Sequence, residues 1–282
     1  MDILAVGPAS PGWAPRAEYV SGRFWLNKGG FQFAEATDTS GLSSLNWVYR
    51  DWCEFFETSP PRPRPNALID PAERRPYFAD AIFGDFDNDG WVDCVVLDRS
   101  ESQNPPSRAV LFMNQGNGTF EPEPTKFSGI DGSGISGEAA DLNNDGLLDL
   151  VIAADPDNSG GTMEMDRYQS KVYWNTGLPQ ARENHWLRLR FSGLSDAELI
   201  GARVEVFATG MRQARWIHSN HSYKSSGALE THFGLGKNPT VDLTVTLSNG
   251  KATRFPGLSA DQFLDLDIRN VKAAPVASQP RP

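Results

Sequence analysis

The pattern of apolar and polar positions along this chain predicts many short β-strands joined by turns. Apolar runs at 81–84 and 93–97 flank a polar loop at 85–92, and the same sequence of strand, loop and strand returns at 137–153. Short apolar runs bounded by Gly, Asn and Asp are typical of strands, and the 26 glycines and 20 prolines supply the turn residues. The chain is therefore expected to be all-β.

A second repeated element accompanies these copies. An apolar strand runs into an Asn/Gly turn at 23–33, 110–120 and 171–177, and we interpret each as a β-hairpin. Residues 2–6 align with the strand that follows each polar loop, so the chain is expected to open inside a repeat. About three repeats then occupy residues 1–180, fewer than the four to eight blades of a typical closed propeller.

The remaining segments differ from the repeats. Residues 181–270 alternate apolar and polar positions between Gly and Asn turns, which predicts a β-sandwich-like domain. The Pro- and Ala-rich segment 271–282 is expected to be a disordered tail. An insertion at 38–80 is rich in Trp, Pro and Arg, with a short helix expected at 45–56. We favour a loop packed over the repeats for this insertion, and a partner-binding surface is the alternative.

Composition and charge exclude some classes of function. A net charge of −10 argues against nucleic-acid binding, which needs a basic surface. No stretch approaches the ~20 apolar residues of a membrane helix, and the first residues lack the basic and apolar regions of a signal peptide. The two cysteines, Cys53 and Cys94, are compatible with a disulfide or with two buried thiols.

The two polar loops follow the pattern Asp-x-Asp/Asn-x-Asp-Gly-x-x-Asp. Side chains at positions 1, 3 and 5 converge, Gly at position 6 permits the turn, and position 7 can offer its backbone carbonyl. This donor set of oxygens suits Ca²⁺ better than Mg²⁺, whose octahedral geometry is stricter. We therefore predict two calcium sites. The alternative is that both loops are ordinary Asp/Asn/Gly turns that bind no ion. The predicted ligands are Asp85, Asp87, Asp89, Trp91 (carbonyl) and Asp93 in the first loop, and Asp141, Asn143, Asp145, Leu147 (carbonyl) and Asp149 in the second.

These loops resemble those of the FG-GAP/VCBS repeat family, and the C-terminal segment resembles the ASPIC/UnbV domain. The second resemblance rests on Asn184-His185-Trp186-Leu187-Arg188-Leu189 and His232-Phe233-Gly234-Leu235-Gly236. Where that family usually has Trp-Pro before its Ser/Asn-Gly turn, this chain has Thr246-Leu247. The resemblance implies β-propeller-type blades and a bacterial protein similar to the cartilage acidic protein family.

Three functional hypotheses remain. The first is a non-catalytic, extracellular or periplasmic interaction module that binds a protein or a glycan and is stiffened by calcium. The second is an accessory structural subunit of a larger, membrane-associated complex, which would dock through the N-terminal edge and residues 38–80. The third, a polysaccharide-active enzyme, lacks support because the sequence shows no nucleophile–base pair and no HExxH. We therefore expect no enzymatic activity.

Overall fold

The structure is a computed structural model that describes residues 3–6, 22–42, 78–98, 109–122, 135–153, 170–177, 179–219 and 226–276. The chain divides into two compact units. The first unit is formed by residues 1–82, 93–137 and 152–171, and the second by residues 83–92, 138–151 and 172–282. Both polar loops thus lie almost entirely in the second unit, together with the C-terminal segment.

Short strands dominate the described residues. The strands are β1 Ile3–Val6, β2 Gly22–Gly29, β3 Gln32–Glu35, β4 Phe78–Gly84, β5 Asp93–Asp98, β6 Val110–Asn114, β7 Phe120–Pro122, β8 Ser136–Ala140, β9 Asp149–Ala153, β10 Lys171–Tyr173, β11 His185–Ser192, β12 Arg203–Ala208, β13 Met211–Trp216, β14 Glu230–Gly236, β15 Thr240–Thr246, β16 Ala252–Ser259, β17 Gln262–Asp267 and β18 Lys272–Pro275. The helices are α1 Pro179–Glu183 and α2 Asp196–Leu199. The all-β prediction is confirmed. Neither of these helices has the length or the apolar character that a membrane crossing requires.

The repeats correspond to three separate sheets, with the strand orders β1-β2-β3, β4-β5-β6-β7 and β10-β9-β8. Strands β1, β5 and β9 are the equivalent strands that the sequence alignment identified. Each polar loop connects the first two strands of its sheet, β4 to β5 and β8 to β9. The first eight residues of the aspartate pattern form the whole connection between these neighbouring strands, and the ninth, Asp93 or Asp149, begins the second strand.

Two of the three predicted hairpins are confirmed. Strands β2 and β3 pair across the Gly30-Phe31 turn, and β6 pairs with β7 across the turn at 115–119. The third prediction is wrong, because β10 is followed in the described part of the chain by helix α1 rather than by a strand. Pro179 begins that helix, at a position where its missing N–H costs nothing. The helix predicted at 45–56 and most of the insertion at 38–80 lie outside the described residues.

The core of the first unit brings side chains of β2, β5 and β6 together. Its buried residues are Phe24, Ala36, Leu42, Cys94, Val96, Val110 and Phe112. Phe24 and Phe120 meet edge to face, with ring centroids 5.9 Å apart. Cys94 is a free, buried thiol, and burial, reinforced by the charges of Asp93 and Asp80, raises its pKa. Cys94 is thus a free thiol, whereas Cys53 lies outside the described residues.

The C-terminal part of the second unit is a β-sandwich, as predicted. Its two four-stranded sheets have the orders β14-β11-β17-β18 and β13-β12-β15-β16. Inward-facing side chains of both sheets form one core, which includes Leu187, Leu189, Val204, Val206, Phe233, Leu235, Leu243, Val245, Leu264 and Leu266. Within these sheets β11 pairs with β17 in parallel and the other pairs are antiparallel. The apolar alternation that predicted the sandwich thus gives the buried face of each strand.

The predicted tail needs a correction at its start. Residues Lys272–Pro275 form β18, which pairs with β17 from Leu264 to Asp267. All four side chains of β18 are exposed, so this strand is held by backbone pairing, which composition does not reveal. Pro275 is compatible with the strand because β18 lies at the sheet edge, where a missing N–H leaves no ladder partner unpaired.

Candidate metal centre

The two polar loops share one backbone conformation. Asn88 and Gly90 have φ angles of 59° and 101°, and the equivalent Asn144 and Gly146 have φ angles of 58° and 88°. The turn at the Gly of position 6 was predicted from the pattern. The left-handed Asn at position 4 was not, although Asn is among the residues that adopt this conformation most readily. In the first loop this turn brings the side chains of positions 1, 3 and 5 together.

In the first loop three aspartates come together. One carboxylate oxygen from each of Asp85, Asp87 and Asp89 lies within 4.8 Å of the other two. The loop is closed by backbone donors: Gly90 N donates to Asp85 Oδ2 at 2.9 Å, and Trp91 N donates to Asp89 Oδ1 at 2.8 Å. Three acidic groups this close repel one another unless a cation or protons neutralise them.

Asp85 is the most deeply buried carboxylate of the cluster. It is 2% exposed, and its Oδ1 is buried with no hydrogen-bond partner in the described part of the chain. Burial, followed by repulsion from Asp89 and Asp87, raises the pKa of Asp85 to about 8. Burial also raises the pKa of Asp89 to about 6. A buried carboxylate oxygen without a donor is costly, and a bound cation is the group that fits this set of oxygens.

The second loop is more fully hydrogen-bonded. Asp141 accepts bonds from Asp145 N at 3.1 Å and from Gly146 N at 3.1 Å, one on each oxygen. The Asn143 amide donates to Asp145 Oδ2 at 2.9 Å, and Leu147 N donates to Asp145 Oδ1 at 3.0 Å. Burial raises the pKa of Asp141, although these bonds and the charge of Arg188 act in the opposite direction. The side chains of this loop therefore have protein partners where Asp85 Oδ1 has none.

The ninth position has the same local role in both repeats. Asp93 Oδ1 accepts a bond from Asn114 N at 2.8 Å, and Asp149 Oδ1 accepts one from Asn175 N at 2.9 Å. Both aspartates are buried at 0% exposure. Asn114 and Asn175 are the turn asparagines of the second repeated element, so position 9 joins each loop to that element. The carbonyl ligands assigned to Trp91 and Leu147 stay predictions.

The first loop also lies against the sandwich. Asn184 Nδ2 donates to Asp87 O at 3.0 Å, and Gly236 N donates to Asn88 O at 2.9 Å. Gly234 faces Asp85 and Asn88 so closely that a Cβ at this position would overlap both. The strand β14 therefore has to present glycine where the first loop approaches it.

The second loop contacts the same sheet through strands β11 and β14. Arg188 Nη1 donates to Asp141 O at 2.7 Å, and Arg188 also forms an ion pair with Glu230 at 2.8 Å. The ring of Trp186 lies over Gly146, in space that a Cβ would need. His232 Nε2 donates to Gly146 O at 3.2 Å. Burial lowers the pKa of His232 to about 4, so the ring is neutral and carries its proton on Nε2.

The two loops also touch each other. Asn88 Nδ2, from the first loop, donates to Gly146 O of the second at 2.9 Å, and Asn175 Nδ2 donates to Phe86 O at 2.8 Å. Both donors are buried. The loops and the outer face of sheet β14-β11-β17-β18 thus form one continuous polar junction inside the second unit.

The sequence did not predict this junction. In the sequence, the residues of the junction could be recognised only as parts of two motifs. Asn184, Trp186 and Arg188 belong to the run at the start of β11. Gly234 and Gly236 belong to the glycine-rich end of β14. The alternation in β11 places Trp186 and Arg188 on the face opposite to the core residues Leu187 and Leu189. Large side chains on an outer sheet face were the one available signal that something covers that face.

Comparison with known proteins finds two families in this chain. Residues 85–152 match the family described as FG-GAP-like repeat, and residues 193–273 match the family described as ASPIC and UnbV. A relative, cartilage acidic protein 1 of Xenopus tropicalis, is 27% identical over 174 residues. That match covers 60% of this chain and 25% of the relative, so the chain spans about a quarter of the relative's length.

Proposed function

Since this chain is an FG-GAP repeat protein with a C-terminal ASPIC and UnbV domain, we propose that it is a calcium-binding, non-catalytic interaction module that acts outside the cytoplasm. Two Ca²⁺ ions would be held, one by each polar loop, and the loaded loops would stiffen a surface that binds a protein or a glycan. Families of this kind are typically non-catalytic, and repeats of the FG-GAP type commonly mediate protein interactions.

The observation that carries calcium binding is the state of Asp85. Its buried Oδ1 has no donor among the described residues, and the carboxylates of Asp87 and Asp89 stand beside it. All the side-chain donors of the cluster are oxygens, which favours a hard cation over zinc or copper. When bound, calcium supplies positive charge that neutralises these carboxylates. Asp85, Asp87 and Asp89 would hold the first ion, with Trp91 O and Asp93 completing the set.

The second proposed site rests on the backbone conformation that the two polar loops share. Asp141, Asn143, Asp145, Leu147 O and Asp149 occupy the same positions in a loop with the same left-handed residues. It has one carboxylate fewer than the first loop, and its oxygens already accept hydrogen bonds. We therefore propose that the second loop binds calcium more weakly than the first.

The proposed location follows from the type of calcium loop, and the proposed class of partner follows from exposed aromatic side chains. Loops with these ligands suit the millimolar calcium found outside cells better than the scarce cytosolic ion. Exposed aromatic side chains in the first loop and close to the second, those of Trp91 and Trp174, offer the kind of contact that protein and glycan partners use.

The test of calcium binding is calorimetric titration of the chelator-treated protein, combined with thermal unfolding. We expect two ions per chain and a rise in Tm on the order of 5 °C or more at saturating calcium. The double substitution Asp85→Asn with Asp87→Asn should remove the tighter ion and leave the weaker one. Asp196→Asn is the matched control, because it removes an aspartate charge in helix α2, away from both loops. A protein that takes up no calcium at millimolar concentration, or a double variant that still binds two ions, would refute the proposal.

An accessory subunit of a larger complex is the second candidate. Strand β1 pairs on one side with β2, and its other edge has no strand partner in the described part of the chain. An open edge is a ready site for a strand from another protein. Size-exclusion chromatography with light scattering on natively purified protein tests it: a defined co-eluting complex supports a subunit, and a monodisperse monomer argues against it.

A further inference from the structure

Each polar loop has an arginine of the sandwich whose charge acts on its first aspartate. Arg188 of β11 donates to Asp141 O at 2.7 Å and to Asn144 Oδ1 at 3.2 Å in the second loop. Its charge acts on Asp141 in the direction that keeps this carboxylate ionised. Arg188 is 19% exposed, and its guanidinium also lies 4.3 Å from the centre of the Phe263 ring. This side chain is therefore fixed in place rather than free in solvent.

Arg215 of β13 is linked to the first loop indirectly, through Gln213 and Gly234. Arg215 Nη2 donates to Gln213 Oε1 at 3.0 Å, and Gln213 Nε2 donates to the carbonyl of Gly234, the residue packed against Asp85. The guanidinium is 5.0 Å from the centre of the Phe233 ring. Its hydrogen bonds go to neutral acceptors, Ala214 O and Gln213 Oε1, so the charge of Arg215 is left to act on Asp85.

The two arginines differ from their neighbours on the same strands. Arg190, two residues after Arg188, is 48% exposed and pairs with Asp265 at 2.8 Å. Arg212, three residues before Arg215, is 64% exposed and pairs with Glu205 at 2.9 Å. Both neighbours satisfy a carboxylate of the sandwich itself. Arg188 also pairs with a carboxylate of the sandwich, Glu230, at 2.8 Å, but of these four arginines it and Arg215 are the two whose charge acts on a polar loop.

We propose that Arg188 and Arg215 are fixed counter-cations of the two aspartate loops, which hold each loop on the sandwich in the absence of metal and weaken its affinity for calcium. The physical reason is that a positive charge near the first aspartate offsets part of the repulsion within the loop. The same charge repels an incoming Ca²⁺, so its two effects have opposite signs. The effect on affinity rests on the proposed calcium binding, whereas the effect on the metal-free loops does not.

The experiment compares Arg188→Met and Arg215→Met with Arg190→Met and Arg212→Met as matched controls. Thermal unfolding is measured in chelator and at saturating calcium, and calcium affinity is measured by calorimetry. In chelator, the two loop-facing variants should lose on the order of 5 °C in Tm, more than the controls lose. Calcium should restore part of that loss, so the calcium-induced gain in Tm becomes larger than in the wild type. The dissociation constant of the affected loop should fall about threefold to tenfold.

A purely structural role predicts a different result. If the arginines matter only for packing, each variant loses the same Tm with and without calcium, and the affinity is unchanged or weaker. That outcome would overturn the proposal. So would a loss in chelator no greater than that of the Arg190→Met and Arg212→Met controls.

A charge-paired variant separates this inference from the proposal of calcium binding. In chelator at about pH 9, where Asp85 with its pKa of about 8 is ionised, Arg215→Met should cost much less in the Asp85→Asn background than in the wild type, because the charge that it compensates is gone. If the wild type shows no response to calcium, the calcium proposal fails and this cycle alone decides whether Arg215 is a counter-cation. Additive effects of Asp85→Asn and Arg215→Met would contradict the pairing.

Discussion

The indole of Trp186 lies against the Cα of Gly146, so close that even a methyl side chain at position 146 has no room. Trp186 in turn stacks on His232, with the ring planes 8° apart and the centroids 6.2 Å apart. His232 donates to the carbonyl of the same glycine. One residue of the second polar loop is thus enclosed by two rings of the sandwich, which makes Gly146 a packing position as well as a turn position.

Gly146→Ala tests this enclosure. Gly146 has a φ of 88°, so alanine is strained there regardless of its surroundings, and it also overlaps Trp186. We expect a loss of about 3 kcal/mol in unfolding free energy, measured by urea denaturation. Gly250→Ala is the control, because Gly250 has a φ of 85° with open space around it, and it should cost only about 1 kcal/mol. Equal losses in the two variants would mean that Trp186 moves aside freely.

Gly234→Ala tests the approach of the first loop to β14. Gly234 does not have a left-handed backbone, so alanine is compatible with the strand, and only its overlap with Asp85 and Asn88 is unfavourable. We expect a loss of about 2 to 3 kcal/mol in unfolding free energy together with weaker calcium binding by the first loop.

The control for this position is Gly210→Ala, in the open turn between β12 and β13. Gly210 has a φ of 72°, and nothing lies within 4 Å of a Cβ there. Backbone strain alone would make Gly210→Ala the more damaging change, whereas loop packing makes Gly234→Ala the more damaging one. The order of the two unfolding free energies therefore distinguishes the explanations.

The features that could be predicted from the sequence are those that residues close together in the chain determine. The spacing of Asp85, Asp87 and Asp89 predicted their convergence, because alternate side chains of a tight turn point to one side. The apolar alternation over residues 181–270 likewise predicted a sandwich, whose core includes Leu187 and Leu189. Both predictions depend on residues close in sequence, where backbone geometry leaves few possibilities.

The docking of the loops on the sandwich could not be derived in this way. Gly234 and Asp85 are separated by well over a hundred residues, and periodicity along the chain contains no information on which distant surfaces meet. The strand β18 was missed for a related reason. Its exposed Ala and Pro side chains contribute no apolar pattern, and its pairing with β17 uses backbone groups that every residue carries.

Asn143→Asp tests the proposed difference between the two loops. The substitution gives the second loop the carboxylate that Asp87 provides in the first, so calcium affinity at this loop should rise about tenfold. In chelator the variant should be less stable by about 1 kcal/mol, because the bond from the Asn143 amide to Asp145 is replaced by repulsion. Calorimetry and thermal unfolding measure the two effects.

Asn117→Asp is the matched control for that substitution. Asn117 also accepts bonds from a residue two positions later in an exposed turn, but it lies outside both polar loops. Its substitution should leave calcium affinity unchanged. If Asn143→Asp likewise changes nothing, or weakens binding, position 3 of the second loop is not a ligand.

Cys94 provides a test of the first unit that does not involve metal. Its thiol lies in the core with Phe112 and Val96, and burial raises its pKa, so neither access nor ionisation favours reaction. In a Cys53→Ser background, a thiol-specific disulfide reagent should react with the native protein about 10³-fold or more slowly than with the urea-unfolded protein, because reaction requires opening of the core. Native Cys94 that reacts as fast as an unfolded thiol would contradict this burial. Unfolding the wild type without reductant should likewise expose the Cys94 thiol to the reagent, whereas a chain with no reactive thiol would show that Cys94 is paired.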